Sequence, residues 1–208
     1  MITNEDNMEL MARYPDGYFD LAIVDPPYGW GNRYNFRFHD DENKKTYDNN
    51  RPSKEYFKEL FRVSKEQIVW GGNYFTNDLP ENRGWICWDK KQPLEGTSFS
   101  HFELAWTSFD KTAKMVVCAN AGFNHADKRI YKESTIHPTQ KPISLYLWVL
   151  KNYAKEGDKI LDTHLGSGSI AIACHNLGFE LTACELDTDY YNAAMKRINK
   201  HKSQTRLF

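Results

Sequence analysis

The sequence lacks the patterns that mark several classes of protein. No run approaches the roughly 18 consecutive apolar residues that a membrane span requires, and residues 1–10, MITNEDNMEL, have neither a basic start nor an apolar core segment. The four cysteines form no Cys-x-x-Cys pair and have no histidine at ligand spacing, so no metal site is predicted. We therefore expect a cytoplasmic protein without a membrane partner, whose cysteines stay reduced.

The sequence also lacks an excess of either positively or negatively charged residues. The 27 Lys and Arg residues face 28 Asp and Glu residues, which gives a formal net charge of −1. Any surface that binds a polyanion must therefore be local. Aromatic residues are plentiful, at 14% of the 208 residues, and can both fill a core and stack on a ligand. The length predicts a single domain over residues 1–208.

Apolar runs alternate with amphipathic segments along most of the chain. Strands are predicted for FDLAIV, QIVWGGN, GWICWDK, FELAWTSF, MVVCA, KILDT and ELTACE. Helices are predicted for NMELMARY, SKEYFKELFRVS with Ser53 as N-cap, ISLYLWVLKNYAK ending at Gly157, a helix ending at Gly178, and DYYNAAMKRINK. This alternation predicts an α/β protein with a doubly wound sheet and ligands at the carboxyl ends of its strands. Residues 29–51 show no periodicity and are predicted to form a functional loop.

A glycine-rich turn and a glutamate indicate a nucleoside-type ligand. The stretch DTHLGSGS places Gly166 and Gly168 where a strand turns into a helix, so that a ligand can approach the backbone. Glu185 ends the following strand, where α/β nucleotide sites place a carboxylate on the ribose hydroxyls. The third glycine of a dinucleotide site is missing, so S-adenosylmethionine fits better than NAD. A plain tight turn is the alternative explanation.

The stretch AIVDPPYGW ends a buried strand with a carboxylate, two prolines and an aromatic ring. Pro26 and Pro27 restrict the backbone, so the carboxylate of Asp25 and the carbonyl of Pro26 would be held as two rigid acceptors. Two acceptors suit an exocyclic amine, and Tyr28 offers a flat face for the ring that carries it. Taken alone, the stretch equally fits a turn after a strand.

Three motifs in this order resemble those of the β-class DNA amino-methyltransferases, which are mostly N6-adenine enzymes: DPPY at 25–28, HPTQKP at 137–142 and DTHLGSG at 162–168. The resemblance covers nearly the whole chain. It implies a Rossmann-like methyltransferase sheet that is circularly permuted, with the catalytic half before the cofactor half and MITNED supplying the strand beyond that of Glu185. It also implies S-adenosylmethionine as cofactor and DNA as partner, with the target adenine flipped out of the stack.

The resemblance assigns roles to individual residues. Asp25, Pro26, Pro27 and Tyr28 would form the catalytic motif. The cofactor would be bound by the following residues: Asp6 near its adenine, Glu185 at its ribose, Thr139 and Lys141 at its carboxylate, and Asp162, His164, Gly166 and Gly168 around the methionine end and the adenosyl group. His164 stands where the family usually has Phe, which predicts altered affinity rather than lost binding.

Basic residues near these motifs are candidates for contact with nucleic acid. In the loop, Arg33 and Arg37 are interleaved with aromatic rings and are followed by Lys44 and Lys45. A solvated loop whose aromatic rings pack on the core is the alternative explanation. The family usually recognises its target through a segment ahead of HPTQKP, here residues 110–136, which contributes Lys111, Lys128 and Arg129. Phosphate contacts carry no sequence information. Because the segment is short, a brief recognition site, a preference for single-stranded over double-stranded DNA, and help from a second subunit of a homodimer all stay open.

Two other functions compete with adenine methylation. Cytosine-N4 enzymes of this kind more often carry Ser before Pro-Pro-Tyr. Asp25 at this position therefore resembles the adenine enzymes and favours adenine. A non-catalytic DNA-binding regulator could retain the fold, but it would not need the acceptors of residues 25–28. Action beside a restriction endonuclease and action alone, in a bacterial host or a phage, are both compatible with the sequence.

Overall fold

The computed structural model describes residues 1–29, 51–90, 100–118, 136–137 and 139–203. The strands in these ranges are β1 (Ile2–Asn4), β2 (Phe19–Val24), β3 (Ser64–Trp70), β4 (Trp85–Asp89), β5 (Phe102–Thr107), β6 (Lys114–Val117), β7 (Lys159–Asp162) and β8 (Glu180–Glu185). They form a sheet in the order β1-β8-β7-β2-β3-β5-β4-β6. Among these strands β5 runs antiparallel to both neighbours, and the other pairs are parallel.

Helices cover both faces of this sheet. They are α1 (Asn7–Ala12), α2 (Lys54–Val63), α3 (Ile143–Tyr153), α4 (Ser169–Leu177) and α5 (Thr188–Ser203), with a short 3-10 turn at Gly72–Tyr74. One apolar cluster packs α3 and α4 on one face of the sheet, and a second packs α1 and α2 on the other. Ile23 belongs to the first cluster and its neighbour Val24 to the second. Central strands such as β2 are thus buried on both sides, which explains their continuous apolar sequence.

The predicted helix ends are correct in two cases and wrong in one. Ser53 caps α2, its side chain accepting from the amide of Tyr56 at 3.3 Å, and α4 ends at Gly178, whose φ is 77°. Helix α3 ends at Tyr153 and not at Gly157, because Ala154 already has extended backbone angles, φ −89° and ψ 155°. Gly157, with φ 85°, lies in the turn that leads into β7.

The N-terminal strand lies at the edge of the sheet beyond β8. Ile2 pairs with Ala183 and Asn4 with Glu185 in a parallel register, and the amide of Glu5 continues the ladder by donating to the carbonyl of Glu185 at 3.2 Å. The first strand of the chain, β1, therefore completes the half of the sheet that contains β7 and β8. This arrangement confirms the predicted circular permutation.

The strand order reverses between β2 and β7. These two strands pair in parallel, with Leu21 opposite Ile160, but the chain leaves β7 toward β8 on one side and leaves β2 toward β3 on the other. Ligands of open α/β sheets bind outside the carboxyl ends of the strands at such a reversal. Asp25 directly follows β2 and Asp162 ends β7, so the topology alone brings two predicted site residues to one crevice.

Across the described ranges, no helix combines the length and apolarity needed to cross a membrane.

Candidate active site

The carboxylate of Asp25 is held from two sides at the end of β2. The hydroxyl of Tyr28 donates to Oδ1 at 2.8 Å, and the ammonium of Lys141 contacts Oδ2. Pro26 is buried, and the two prolines stiffen this corner of the chain. The side chain of Asp25 is nevertheless 20% exposed, so a ligand can reach a carboxylate whose orientation is already fixed.

The ring of Tyr28 lies directly against a glycine. Gly71 follows β3 with a left-handed φ of 67°, and a Cβ atom there would lie 2.2 Å from Cε1 of Tyr28. The ring of Tyr74 lies 4.9 Å from that of Tyr28, centroid to centroid. Burial raises the pKa of Tyr28 well above its usual value, so the phenol is a neutral donor. The sequence signal for this support is WGGN after a strand, which does not by itself differ from a plain turn.

Lys141 of HPTQKP lies between two carboxylates. Its ammonium contacts Asp25 and lies 3.3 Å from Oε2 of Glu103, and only 4% of its side chain is exposed. Burial alone would lower the pKa of Lys141, but Asp25 and Glu103 outweigh it and raise that pKa. An ammonium has three N–H donors, so one is left for a further acceptor such as a ligand carboxylate.

Glu103 reaches the site because of the direction of β5. Since β5 is antiparallel to its neighbours, its first residues lie at the edge where the parallel strands end. Burial would raise the pKa of Glu103, but Lys141 and Lys90 outweigh it and lower that pKa. Glu103 is not among the residues that the sequence motifs predict. Its one signal is a charged residue inside the apolar run FELAW.

Asp162 is a buried carboxylate at the end of β7. Its side chain is 3% exposed and accepts from the amide of His164 at 3.0 Å. Burial raises its pKa to about 8, and the nearby carboxylates of Asp25 and Glu185 add to the effect. A positively charged ligand beside this group would favour its ionised form and would in turn be bound by it.

The two glycines of the glycine-rich turn face different surroundings. A Cβ atom on Gly166, with φ 52°, would lie no closer than 3.9 Å to its nearest neighbour, the carbonyl oxygen of His164, and the amide of Gly166 donates to Oε2 of Glu185 at 2.8 Å. Gly168, with φ 73°, faces α5, where a Cβ atom would lie 2.9 Å from Cδ1 of Ile198. Gly166 therefore leaves room for a ligand, whereas Gly168 permits close packing of the turn on α5.

Glu185 lies at the end of β8, next to the glycine-rich turn. Its second oxygen, Oε1, accepts from the amide of Asp187 at 3.0 Å, so both oxygens are oriented by backbone donors. Burial raises the pKa of Glu185. Each oxygen retains a lone pair for a ligand hydroxyl.

His164 joins a row of hydrogen-bonding groups beside α1. Its Nε2 lies 3.2 Å from Nδ2 of Asn7, its Nδ1 lies 2.9 Å from the hydroxyl of Thr163, and that hydroxyl lies 2.7 Å from the hydroxyl of Tyr56. Burial lowers the pKa of His164 to about 4. The ring is therefore neutral at pH 7, and an amide that donates to Nε2 assigns the proton to Nδ1.

Asp6 and Thr139 are also placed at this edge of the sheet. Asp6 follows β1 and caps α1, accepting from the amide of Met8 at 2.7 Å. Nδ1 of His137 lies 3.1 Å from the hydroxyl of exposed Thr139, and the ring of His137 packs at 4.6 Å on that of Tyr190 in α5. Burial lowers the pKa of His137 to about 4. Residue 138 lies outside the described ranges.

Most candidate nucleic-acid contacts lie outside the described residues, namely Arg33, Arg37, Lys44, Lys45, Lys128 and Arg129. The two ends of the predicted loop are described and lie close together, since a Cβ atom on Gly29 would be 3.2 Å from Cβ of Arg51. Segment 30–50 is thus attached at both ends beside the DPPY corner. Arg51 itself pairs with Asp78 at 2.7 Å.

Lys111, which the sequence predicts to contact nucleic acid, lies away from this site. It follows β5, whose last residues lie at the edge opposite Asp25 because that strand is antiparallel. There its ammonium lies over the rings of Phe109 and Tyr153, at 4.9 and 5.2 Å. Of the predicted recognition segment 110–136, residues 114–117 form β6 of the sheet, and residues 119–135 lie outside the described ranges.

Comparison with known proteins places the chain in a family. The model of the DNA methylase family N6_N4_Mtase matches residues 83–196, which is more than half of the chain. The chain belongs to this family.

Individual relatives share less than a third of their aligned residues with this chain. The Type II methyltransferase M2.LlaDCHI of Lactococcus lactis subsp. cremoris is 28% identical over 127 residues, which are 61% of this chain and 44% of that protein. The chain thus aligns with less than half the length of that relative. The Type II methyltransferase M.HpaI of Haemophilus parainfluenzae is 27% identical over 229 aligned positions, covering 92% of this chain and 72% of that protein.

Solved structures share the fold. The M1.HpyAVI–SAM complex superposes with a TM-score of 0.64 at 19% identity, covering 96% of this chain and 98% of that one. The PvuII DNA methyltransferase, described as cytosine-N4-specific, gives a TM-score of 0.61 at 11% identity, with 96% and 90% covered. At these identities the likeness establishes the Rossmann-like α/β fold.

Proposed function

We propose that this protein is an S-adenosylmethionine-dependent DNA methyltransferase that methylates the exocyclic N6 amine of adenine. One observation carries the proposal. The carboxylate of Asp25 is fixed by Tyr28 and Lys141 at the switch point of the sheet, next to the strand end and glycine-rich turn of Asp162 and Gly166. An acceptor for an amine and a pocket for a nucleoside cofactor thus adjoin each other.

The residues of the pocket fit S-adenosylmethionine. This cofactor supplies a methyl group on a positively charged sulfur. Buried Asp162 suits a ligand that carries positive charge, Gly166 leaves room for it, and the oriented oxygens of Glu185 suit ribose hydroxyls. The third N–H of Lys141 suits the carboxylate of the amino acid end. A dinucleotide would instead need donors for its phosphates, and carboxylates dominate here.

Asp25 and Pro26 act on the amine that receives the methyl group. An amine of adenine is conjugated with its ring and is a poor nucleophile. Hydrogen bonds from its two N–H groups to the Asp25 carboxylate and the Pro26 carbonyl oppose that delocalisation and stabilise the positive charge that develops on nitrogen. Because Asp25 is already oriented by Tyr28 and Lys141, little reorganisation is needed during transfer.

The target base must leave the double helix to reach Asp25. Unstacking and unpairing cost a few kcal/mol, which stacking on the aromatic rings of Tyr28 and Tyr74 partly offsets. Segment 30–50, with Arg33, Arg37, Lys44 and Lys45, is joined to this corner at both ends and would contact the DNA backbone, as would Lys128 and Arg129. We assign no phosphate contact to Lys111, since it lies at the opposite edge of the sheet.

Adenine is favoured over cytosine by the resemblance of Asp25-Pro26-Pro27-Tyr28 to the N6-adenine motif. The fold does not distinguish the two bases, because a cytosine-N4-specific enzyme shares it. The physical requirement is the same in both cases, an exocyclic amine held by two acceptors.

A single assay tests the proposal. The protein is incubated with methyl-labelled S-adenosylmethionine and mixed-sequence DNA in single- and double-stranded form, and the DNA is digested to nucleosides. Label in N6-methyldeoxyadenosine is expected. Label in N4-methyldeoxycytidine would show that the target base is cytosine, and cofactor and DNA binding without transfer would identify a non-catalytic regulator.

A further inference from the structure

Four charged side chains form a row of alternating sign that starts at Asp25. Lys141 contacts Asp25 and lies 3.3 Å from Oε2 of Glu103, and the other oxygen of Glu103 lies 2.5 Å from the ammonium of Lys90. The side chains of Lys141 and Lys90 are 4% and 12% exposed. The row crosses from the end of β2 to the start of β5 and the end of β4, so three strands hold it in place.

The charge of Lys141 alone would oppose the proposed reaction. In methyl transfer the bond from carbon to the positive sulfur breaks as the bond to nitrogen forms, which leaves a neutral thioether and a positive amine that then loses one proton to solvent. The acceptor beside that amine is the carboxylate of Asp25. An ammonium bound to Asp25 cancels its charge, and in a largely water-excluded site such an effect is strong. A second carboxylate on the same ammonium restores a net negative charge to the group formed by Asp25, Lys141 and Glu103.

We propose that Glu103 is a positioning residue of the reaction, which acts through Lys141 by neutralising its ammonium so that Asp25 keeps its negative charge for the amine. This role rests on the proposed function. Lys90 binds the other oxygen of Glu103, Oε1, and so holds this carboxylate in place. The Lys141 ammonium also lies over the ring of Trp70, 5.4 Å from its centroid.

Single-turnover methyl transfer in four proteins tests this coupling, at saturating S-adenosylmethionine and unmethylated genomic DNA. The proteins are the wild type, Glu103→Gln, Lys141→Met and the double variant. We expect Glu103→Gln to lower the rate of the wild type by about tenfold or more, equivalent to about 1.4 kcal/mol, with little change in cofactor affinity. In the Lys141→Met background the same substitution should change the rate less than about threefold.

Glu66→Gln is the matched control, since Glu66 is a half-buried glutamate near the other end of a neighbouring strand, and it should leave the rate unchanged. An equal loss from Glu103→Gln in both backgrounds, or no loss in the wild type, overturns the inference. A wild type that transfers no methyl group overturns the proposed function, and the role of Glu103 with it.

A second measurement reports on the contact without any turnover. In protein labelled with 13C at the lysine ε carbons, the resonance missing from Lys141→Met identifies Lys141, and its titration gives the pKa of this ammonium. Asp25 and Glu103 raise that pKa in the structure. The pKa should therefore fall in Glu103→Gln and stay unchanged in Glu66→Gln. An unchanged pKa in Glu103→Gln would show that Glu103 does not act on Lys141.

Discussion

At the scale of residues, burial sets the protonation states of the site. It raises the pKa of Asp162 to about 8 and lowers those of His137 and His164 to about 4. All three groups therefore favour their neutral forms near pH 7. Asp25, Lys141, Glu103 and Lys90 are instead arranged as paired charges. A cationic cofactor entering this pocket would meet carboxylates that it can ionise and no unpaired cation in the described part of the site.

The replacement of His164 by phenylalanine tests this electrostatic description. The folded pKa of about 4 lies below the ordinary 6.5, so the stability due to the neutral ring is present above pH 6.5 and is lost as pH falls toward 4. The free energy of unfolding should fall between pH 7 and pH 4.5 in both proteins. We expect this fall to be smaller in His164→Phe than in the wild type, by about 1–3 kcal/mol. Urea denaturation at the two pH values measures this difference.

Exposed His175 provides the control, because His175→Gln should leave the acid sensitivity as it is in the wild type. The same His164→Phe protein should still bind S-adenosylmethionine, with an affinity changed by less than about tenfold. Equal acid sensitivity in the wild type and His164→Phe would contradict the neutral, buried state of the ring.

At the scale of elements, sequence patterns predict most of the strands and helices because buried apolar residues recur along them at regular spacing. The run FDLAIV is apolar throughout since β2 is covered on both faces, and Ser53 marks the start of α2 by its capping oxygen. The direction of β5 carries no such local signal. Because β5 is antiparallel, its first residues, with Glu103, lie at the site, and Lys111 lies at the opposite edge of the sheet. Neither position could be predicted from spacing along the chain.

The turn after β3 supports the ring of Tyr28, and two glycine substitutions test this support. Gly71→Ala should cost stability through its left-handed φ of 67° and should also displace the Tyr28 ring, which a Cβ atom would approach to 2.2 Å. Gly157→Ala is the matched control, with φ 85° and nothing within 4 Å. Both variants should lose about 1 kcal/mol from the left-handed backbone. Only Gly71→Ala should lower methyl transfer, by about tenfold or more, as single-turnover assays would measure. Equal transfer rates in the two variants would contradict the support of Tyr28 by Gly71.

At the scale of the whole molecule, the resemblance of three motifs predicted the circular permutation, whereas hydrophobic patterns alone did not. The short run before Asp6 does not show by itself where β1 pairs, and the structure confirms that it pairs with β8. The same motif order predicted that Asp25, Asp162 and Glu185 converge, because each follows or ends a parallel strand at one edge. The contact of Lys141 with Asp25 depends on side-chain packing between distant elements, which motifs do not specify.

Undoing the permutation tests whether the sheet alone determines this architecture. A short linker joins residue 203 to residue 1, and new termini are placed within segment 119–135, so that the cofactor half precedes the catalytic half. Since β1 already lies beside β8, this variant should fold with a wild-type circular dichroism spectrum and bind S-adenosylmethionine within about tenfold of the wild type. An unfolded product, or loss of cofactor binding, would show that the native order of the halves is required.

The central claim is that Asp25 acts on the amine and does not hold the cofactor. Asp25→Ala separates the two roles when calorimetric binding of S-adenosylmethionine and single-turnover methyl transfer to DNA are measured on the same preparation. The account predicts a transfer rate lowered by about 100-fold or more with a cofactor Kd changed by less than about threefold. Transfer at the wild-type rate, or a loss confined to cofactor binding, would contradict it.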